Sequence, residues 1–474
     1  MSFAPFAWWP LAILSIMVLF GLWLNRPPRA FAYGFAFGLG QFGVGVSWMY
    51  VSIHQYGGMP PLIAGFCILV LILILSLFPA FAGSAQNFFS HKRNAVRLVF
   101  IMPVAWLGFE WLRGWIFTGL PWLTAGYAML DTPLSGLAPL SGVYGVSLAL
   151  LCTAGALLGV FLNSSMRNLV LTSFVLAVWV TAWQVDKVQW SQPVGEPVSV
   201  AIVQNNVPLM QKWDAQRSQQ IVNHYLDASK QNLDVDLVVW PEAAVPQYLD
   251  QLSREFWDEI KNHPADFVFG LLHRDEHQGT ERYFNSMVAV SDQITIYHKQ
   301  HLVPFGEYFP LQWLLQPLID MLSIPMSDFS AWPEKQPPLY AAGIRMAASI
   351  CYEDAFPGVW RHQVEKSGVL INISEDMWFG DSLAPHQRLQ MARFRAKETE
   401  RPMIRSSNNG LSSLIDWNSE ILEIAPQFEV AVAKGSVQPR TGLTPYVRHG
   451  DLPALSAALL LLLLGLLFGR ARVR

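Results

Sequence analysis

Ile344-Arg345-Met346-Ala347-Ala348-Ser349-Ile350-Cys351-Tyr352-Glu353-Asp354 reads as a strand that delivers one cysteine to a polar turn. A thiol at a strand end can meet a substrate, and the carboxylates beside it can handle protons. Cys67 and Cys152 both lie in long apolar runs, so Cys351 stands apart from them and has no evident disulfide partner. Taken by itself the stretch fits a buried, inert cysteine better, because free Cys is among the most buried residue types. The rest of the chain reverses that preference.

Of the 474 residues, 52% are hydrophobic and only 14% charged, against roughly 25% charged in an average soluble domain. That deficit points to membrane segments. The 19 Trp and 29 Phe suit membrane interfaces, and a net charge of -3 gives no general field for nucleic acid. The three cysteines are too few for a disulfide scaffold and do not set the redox compartment. Seven apolar runs are candidate spans: 8–24, 31–51, 61–81, 96–117, 140–162, 169–183 and 452–468. A cleaved signal is the competing reading of the first and fits it poorly, since no basic residue precedes it and no small-residue cleavage site follows. The expected organisation is a membrane domain over 1–190 with about six helices, a catalytic domain over 197–437, and a C-terminal transmembrane helix over 452–469.

Basic residues orient these spans. Arg26 and Arg29 follow the first run, His91, Lys92, Arg93 and Arg97 the third, Arg167 the fifth, and Arg470, Arg472 and Arg474 the last, while 54–60 and 119–139 hold no Lys or Arg. Positive loops stay cytoplasmic, which puts the domain over 197–437 and the N-terminus on the opposite side, the periplasm or cell exterior. Within 96–117, Glu110 and Arg113 share one helical face. They read equally as a local ion pair or as a polar feature facing a cavity.

Between the anchors, charge density is normal. Strands are predicted at 198–203, 236–240, 267–272, 344–350, 369–373, 403–406, 413–416 and 430–437, a hairpin over 286–291 and 293–297, and helices at 217–231 and 385–399. Alternating strands and helices with hairpins imply an α/β sandwich with mixed sheets. Glu242, Lys299 and Cys351 each fall at a strand end. The trio makes chemical sense: a carboxylate accepts the thiol proton, and an ammonium favours the thiolate and a tetrahedral oxyanion. Singly, each is weak, since Trp-Pro-Glu is common in loops and a lysine after a strand is usually solvated.

Trp240-Pro241-Glu242, the run Tyr297-His298-Lys299-Gln300-His301-Leu302-Val303-Pro304-Phe305-Gly306-Glu307, and Cys351-Tyr352-Glu353 resemble, in order, the three signature blocks of the nitrilase (carbon–nitrogen hydrolase) superfamily. With the flanking spans and the His301-to-Tyr308 run, the chain is similar to the bacterial apolipoprotein N-acyltransferases. Phe3-Ala4-Pro5-Phe6, Tyr56-Gly57-Gly58-Met59-Pro60, Glu110-Trp111-Leu112-Arg113, Tyr283-Phe284-Asn285-Ser286 and Trp378-Phe379-Gly380-Asp381-Ser382 add to the likeness.

The resemblance implies a multi-span helical membrane domain with a nitrilase-like αββα sandwich of mixed sheets. It implies Glu242 as general base, Lys299 as oxyanion and thiolate stabiliser, and Cys351 as nucleophile. Glu307, Tyr352 and Glu353 match supporting active-site positions; Trp213, Asn285, Trp378 and Phe379 match substrate-binding ones. The implied reaction moves a fatty acyl chain from a phospholipid, through a Cys351 thioester, to the α-amino group of the N-terminal diacylglyceryl-cysteine of an apolipoprotein. No cofactor or metal is expected: His54, His91 and His224 are scattered, and His298 with His301 lacks a third ligand. A monomer is expected, with no nucleic-acid partner.

Several positions depart from the family pattern. The family usually places an apolar span before the Phe3–Phe6 block, whereas this sequence begins at that block, which leaves a missing span or a mis-set start open. Glu375 and Met377 replace Asn and Ala, and Glu400 replaces Gly. Leu311, Trp313, Leu314, Leu315, Leu318, Ile319, Met321 and Leu322 form either an apolar arm on the membrane or a core helix, and 377–379 either guides an acyl chain or packs a loop. Two rival readings use the same sequence. A membrane-tethered amidase or nitrilase would need the same trio. The other is a transporter or scaffold whose soluble domain only senses ligand, but ionisable residues in the spans are too sparse for an obvious transport path.

Overall fold

In the computed structural model, residues 1–90, 92–162, 166–214, 216–277, 280–308 and 329–468 are described. The apolar stretch 311–322 lies outside them. The chain forms two compact units, one of Met1–Tyr50, Pro60–Trp190 and Thr444–Arg474, the other of Val51–Met59 and Ser191–Leu443.

The first unit is built from the helices Pro10–Asn25, Ala30–Gly45, Pro61–Asn87, Met102–Arg113, Ala138–Leu162, Met166–Val185 and Leu452–Phe468. Pro61–Asn87, Asn94–Arg113 and Pro133–Leu162 are long and apolar enough to cross a membrane, while Pro10–Asn25, Leu169–Val185 and Leu452–Phe468 are shorter apolar helices. Leu62, Phe66, Leu69 and Ile74 are exposed along Pro61–Asn87, a surface that lipid tolerates and water does not. The run 31–51 does not continue as one helix: Ala30–Gly45 ends early, and Val51–Tyr56 forms a separate π-helical turn within the second unit. Gly45 and Ser47 fall at the break, where both weaken helical propensity.

Ala30–Gly45 packs closely on Pro61–Asn87 because Gly34 and Gly38 offer no side chain. A Cβ on Gly34 would lie 2.3 Å from the Pro79 carbonyl oxygen, and one on Gly38 2.7 Å from Ser76 Cα. Small residues four apart let two backbones meet, which is how helices associate without a hydrophobic drive. Gly34→Leu is expected to cost about 1–3 kcal/mol by forcing the pair apart. The check is the thermal midpoint of the detergent-solubilised protein; an unaltered midpoint would contradict the close packing.

Glu110 and Arg113 are buried and hold a loop. Arg113 Nη1 donates to the carbonyls of Leu120 at 2.6 Å and Trp122 at 2.5 Å. Glu110 Oε1 accepts from Ala125 N at 2.8 Å and Trp106 Nε1 at 3.3 Å. The shared helical face thus serves to pin the 120–125 backbone.

The second unit contains strands β1 (Gln192–Pro193), β2 (Val198–Gln204), β3 (Leu237–Val239), β4 (Val245–Tyr248), β5 (Asp266–His277), β6 (Thr280–Val290), β7 (Ile294–His298), β8 (Leu339–Ala341), β9 (Ile344–Ile350), β10 (Val369–Ser374), β11 (Met403–Ser407), β12 (Ser413–Ile415), β13 (Ile421–Ile424), β14 (Ala431–Val437) and β15 (Arg440–Thr441). One sheet runs β14-β2-β3-β5-β6-β7 with β4 beside β5; the other runs β13-β12-β11-β10-β9-β8; β1 and β15 pair alone. Both large sheets are mixed: β2, β3 and β5 are parallel to one another, as are β9, β10 and β11, and the outer strands are antiparallel.

The layers follow from period-two alternation. Val198, Val200 and Ile202 of β2, with Leu237 and Val239 of β3, meet Met346, Ala348 and Ile350 of β9 and Val369, Ile371 and Ile373 of β10 between the sheets. The opposite face, through Val203, Val238, Phe267 and Phe269, packs on Ile221, Val222 and Tyr225 of the helix Ser218–Lys230 and on Phe256 and Ile260 of the helix Arg254–Asn262. The helices Pro357–Val364 and Leu383–Thr399 contact β9 and β11 of the second sheet. The result is an αββα sandwich. The hairpin joins β6 to β7, but β6 starts earlier than its apolar residues suggest and pairs along β5 from Phe267 to His277.

Candidate active site

Glu242 owes its place to Trp240. That indole is fully buried. Its ring lies 5.3–5.5 Å from those of Tyr225, Phe267 and Phe269, and its Nε1 donates to Ser229 Oγ at 2.9 Å. The chain leaves β3 there, and Ala243 adopts φ 47°. The turn lies directly on Gly270, where a Cβ would come within 2.8 Å of Glu242 Cα. A side chain at 270 would push the carboxylate out of place.

Lys299 follows β7 directly, and its N–H donates to the Asn285 carbonyl at 2.9 Å. Its ammonium donates to Glu307 Oε1 at 2.7 Å and lies 3.7 Å from Glu242 Oε1. Asn285 Nδ2 donates to Glu242 Oε1 at 2.6 Å and reaches Glu307 Oε1 at 3.4 Å. Glu307 Oε2 accepts from Val303 N at 2.8 Å. One oxygen of Glu242 is thereby engaged. The other, Oε2, is buried without a hydrogen-bond partner among the described residues, and is the atom free to take a proton. Burial acts to lower the Lys299 pKa, but the charges of Glu307 and Glu242 outweigh it and hold the ammonium above its ordinary value.

Cys351 arrives from the other sheet. It sits at φ 51°, where a non-glycine residue is strained, and opens a 3₁₀ turn over Cys351–Ala355. Glu353 fastens that turn to the Lys299 segment. Its Oε2 accepts from Ile350 N at 2.7 Å and Tyr297 OH at 3.0 Å, and its Oε1 from Gln300 N at 2.7 Å and His301 N at 2.9 Å. Burial pushes the Glu353 carboxyl up to about 7, with the backbone N–H donors pulling it down. Burial, reinforced by the Glu242 charge, pushes the Cys351 thiol up to about 12, while Arg388 and Lys299 draw it down. The resting group is therefore a thiol, and attack requires a base beside it.

The other candidate residues are placed as follows. Tyr352 packs edge-on against Phe356 at 4.9 Å. Trp213 caps the helix Leu209–Lys212 and is 36% exposed. Trp378 and Phe379 lie on the 3₁₀ turn Asp376–Phe379. The Trp378 carbonyl accepts from Ser52 Oγ at 2.7 Å, its ring is 6.4 Å from that of Tyr56, and Tyr56 OH lies 3.8 Å from Met377 Sδ. The polar turn after 31–51 thus braces the 377–380 loop.

Comparison with known proteins agrees with this architecture. Residues 1–156 match the apolipoprotein N-acyltransferase N-terminal domain family, and 199–446 match the carbon-nitrogen hydrolase family. The chain is similar to the apolipoprotein N-acyltransferase of Methylococcus capsulatus, at 41% identity over 99% of this chain and 94% of that protein. It is also similar to the one named so from Azotobacter vinelandii, at 42% identity over 99% and 92%. The chain belongs to the apolipoprotein N-acyltransferase family.

In this N-acyltransferase family member, several buried charges around the site escaped the sequence reading. Lys212 Nζ donates to the Glu242 carbonyl at 2.8 Å and pairs with Glu375 Oε2. Glu375 Oε1 also accepts from Asn408 Nδ2 at 3.2 Å and Met377 N at 3.2 Å. The unusual Glu375 is therefore the counter-charge of a buried lysine behind Glu242. Arg388, Ser374, Asp376 and Arg405 cluster beside Cys351. Their one visible signal was the polar Ser374-Glu375-Asp376 end of a buried strand.

Proposed function

We propose that this acyltransferase takes its acyl chain from a phospholipid and carries it as a thioester on Cys351. The acceptor is the α-amino group of the N-terminal diacylglyceryl-cysteine of an apolipoprotein. The observation that carries this reading is the buried Lys299–Glu242 pair, whose charges act on the strained Cys351 and whose Glu242 Oε2 has no hydrogen-bond partner among the described residues. The Cys351 sulfur attacks the ester carbonyl carbon as Glu242 Oε2 takes the thiol proton. Lys299 faces the oxyanion of the tetrahedral intermediate, where a cation in a dry site is most effective. Collapse breaks the ester C–O bond, Glu242 returns the proton to the leaving alkoxide, and lysophospholipid departs.

In the second half-reaction the amine nitrogen attacks the thioester carbon and gives a proton to Glu242. The C–S bond then breaks and the sulfur recovers the proton. The amidase reading uses the same side chains with water as acceptor; family membership favours transfer. The basic residues after the first, third, fifth and seventh apolar runs support a catalytic unit on the periplasmic side of the inner membrane.

The test is mass spectrometry of the full-length protein after incubation with phospholipid vesicles. A fatty-acyl mass on the Cys351 peptide, removable by hydroxylamine, is the expected result. Turnover with no such adduct at any time point would overturn the thioester route.

A further inference from the structure

Among the buried cations that the mechanism does not use, Arg388 is the one within reach of the Cys351 sulfur. Arg388, on the helix Leu383–Thr399, is fully buried. Its Nη2 donates to the Cys351 carbonyl at 2.7 Å and to Asp354 Oδ2 at 2.7 Å. Its Nη1 contacts Asp376 Oδ1 and Ser374 Oγ and lies 3.8 Å from Cys351 Sγ. Ser374 Oγ is also 3.8 Å from that sulfur, but it donates its hydrogen to Asp376 Oδ1 at 2.7 Å. The guanidinium is thus the donor left for the sulfur on this side.

Nη1 has two hydrogens and three acceptors around it. One hydrogen goes to Asp376, and the second is shared between Ser374 Oγ and the sulfur. We propose that Arg388 is a further catalytic residue, a second cation on the Cys351 sulfur whose shared N–H swings fully to sulfur whenever the thiolate forms. Ionisation turns a weak acceptor into a strong one, so the hydrogen is drawn from Ser374 as charge develops. The same charge is released when the amine expels the sulfur. The guanidinium need not move, because its frame is fixed: Asp354 and Asp376 hold it, and Arg405 Nη2 in turn binds Asp376 Oδ2 at 3.0 Å. A planar fork held by two carboxylates is preorganised in a way a lysine is not.

The charges facing the sulfur come from every neighbouring element. Glu242 arrives after β3, Lys299 after β7 with Glu307 bound to it, and Asp376 after β10. Tyr352, Glu353 and Asp354 lie in its own turn, Arg388 on the helix, and Arg405 on β11. Lys299 answers to Glu242 and Glu307, whereas Arg388 answers to Asp354 and Asp376. The sulfur therefore sits between two separately neutralised cations, one from each sheet's side of the sandwich.

This inference rests on Cys351 being the acyl carrier. The test uses the full-length protein in detergent and follows iodoacetamide alkylation of the Cys351 peptide by mass spectrometry between pH 7 and 9. Peptide resolution is required because Cys67 and Cys152 are also free thiols. Arg388→Gln is expected to displace the rate profile by about one pH unit to the alkaline side, about tenfold slower at any one pH. It should slow acyl-enzyme formation from phospholipid by a similar factor, while Arg388→Lys, which keeps the charge but loses the fork, should displace the profile by less. An undisplaced profile in folded Arg388→Gln overturns the proposal. So does a displacement of equal size in Arg388→Lys, which would assign the effect to lost packing. If Arg388→Gln does not fold, Arg388→Gln/Asp354→Asn removes a bonded charge pair together, leaves Asp376 with Arg405, and is judged by the same displacement. Failure of the carrier reading looks different: wild-type protein would then turn over without acquiring acyl mass at Cys351.

Discussion

Cys351→Ala is expected to lower acyl transfer by about 10⁴-fold or more, the scale seen when a covalent nucleophile is removed. The change deletes one atom from a small buried side chain. It leaves the backbone bonds of Glu353 to Ile350, Gln300 and His301 in place, so the protein should remain folded in the membrane. Cys351→Ser should fail almost as completely. A hydroxyl is far harder to ionise than a thiol, and the sulfur already needs both a base and neighbouring cations. The measurement is transfer of a labelled acyl chain from phospholipid to a diacylglyceryl-peptide. Retention of even a tenth of wild-type turnover in the folded alanine variant would remove the nucleophile from the mechanism.

Glu242→Gln is expected to slow transfer by about 10²- to 10⁴-fold, the usual contribution of a positioned base. The amide keeps an oxygen for Asn285 but cannot accept a proton through the second atom. Its effect on the thiol runs the opposite way. The Glu242 charge raises the Cys351 pKa, so removing it favours the thiolate and should speed alkylation of Cys351 at neutral pH. Because unfolding would also expose the thiol and slow transfer, the split counts only in a variant whose thermal midpoint matches that of the wild type. If both rates fell together, Glu242 would be a structural carboxylate and the proton acceptor would lie elsewhere.

The strands at 198–203, 344–350 and 369–373 were legible because their alternate residues are buried between two sheets, and β-branched and small apolar residues run through them. The helix at 385–399 was found to within two residues of its start, at Leu383. β8, at Leu339–Ala341, and β13, at Ile421–Ile424, were not. Each is too short to show a period, and β13 is exposed along its length, so no buried pattern marks it. The run 31–51 was read too long because apolar residues continue past Gly45, where the helix ends.

The ordered blocks at 240–242, 297–307 and 351–353, with the flanking apolar spans, were enough to identify the family and to single out Glu242, Lys299 and Cys351 as candidates, because each block holds its residues within a few positions of one another. Folding alone could assign Lys212, Glu375 and Arg388. Lys212 meets a carboxylate 163 positions away, and Arg388 meets the sulfur 37 positions away. Locally each looks like an ordinary surface charge. Hydrophobic period reports whether a position faces the interior, but a buried ion is tolerated only if distant segments bring its counter-charge and hydrogen bonds. That supply is a property of the assembled sandwich, which is why the electrostatics of the cysteine became visible only once both sheets were in place.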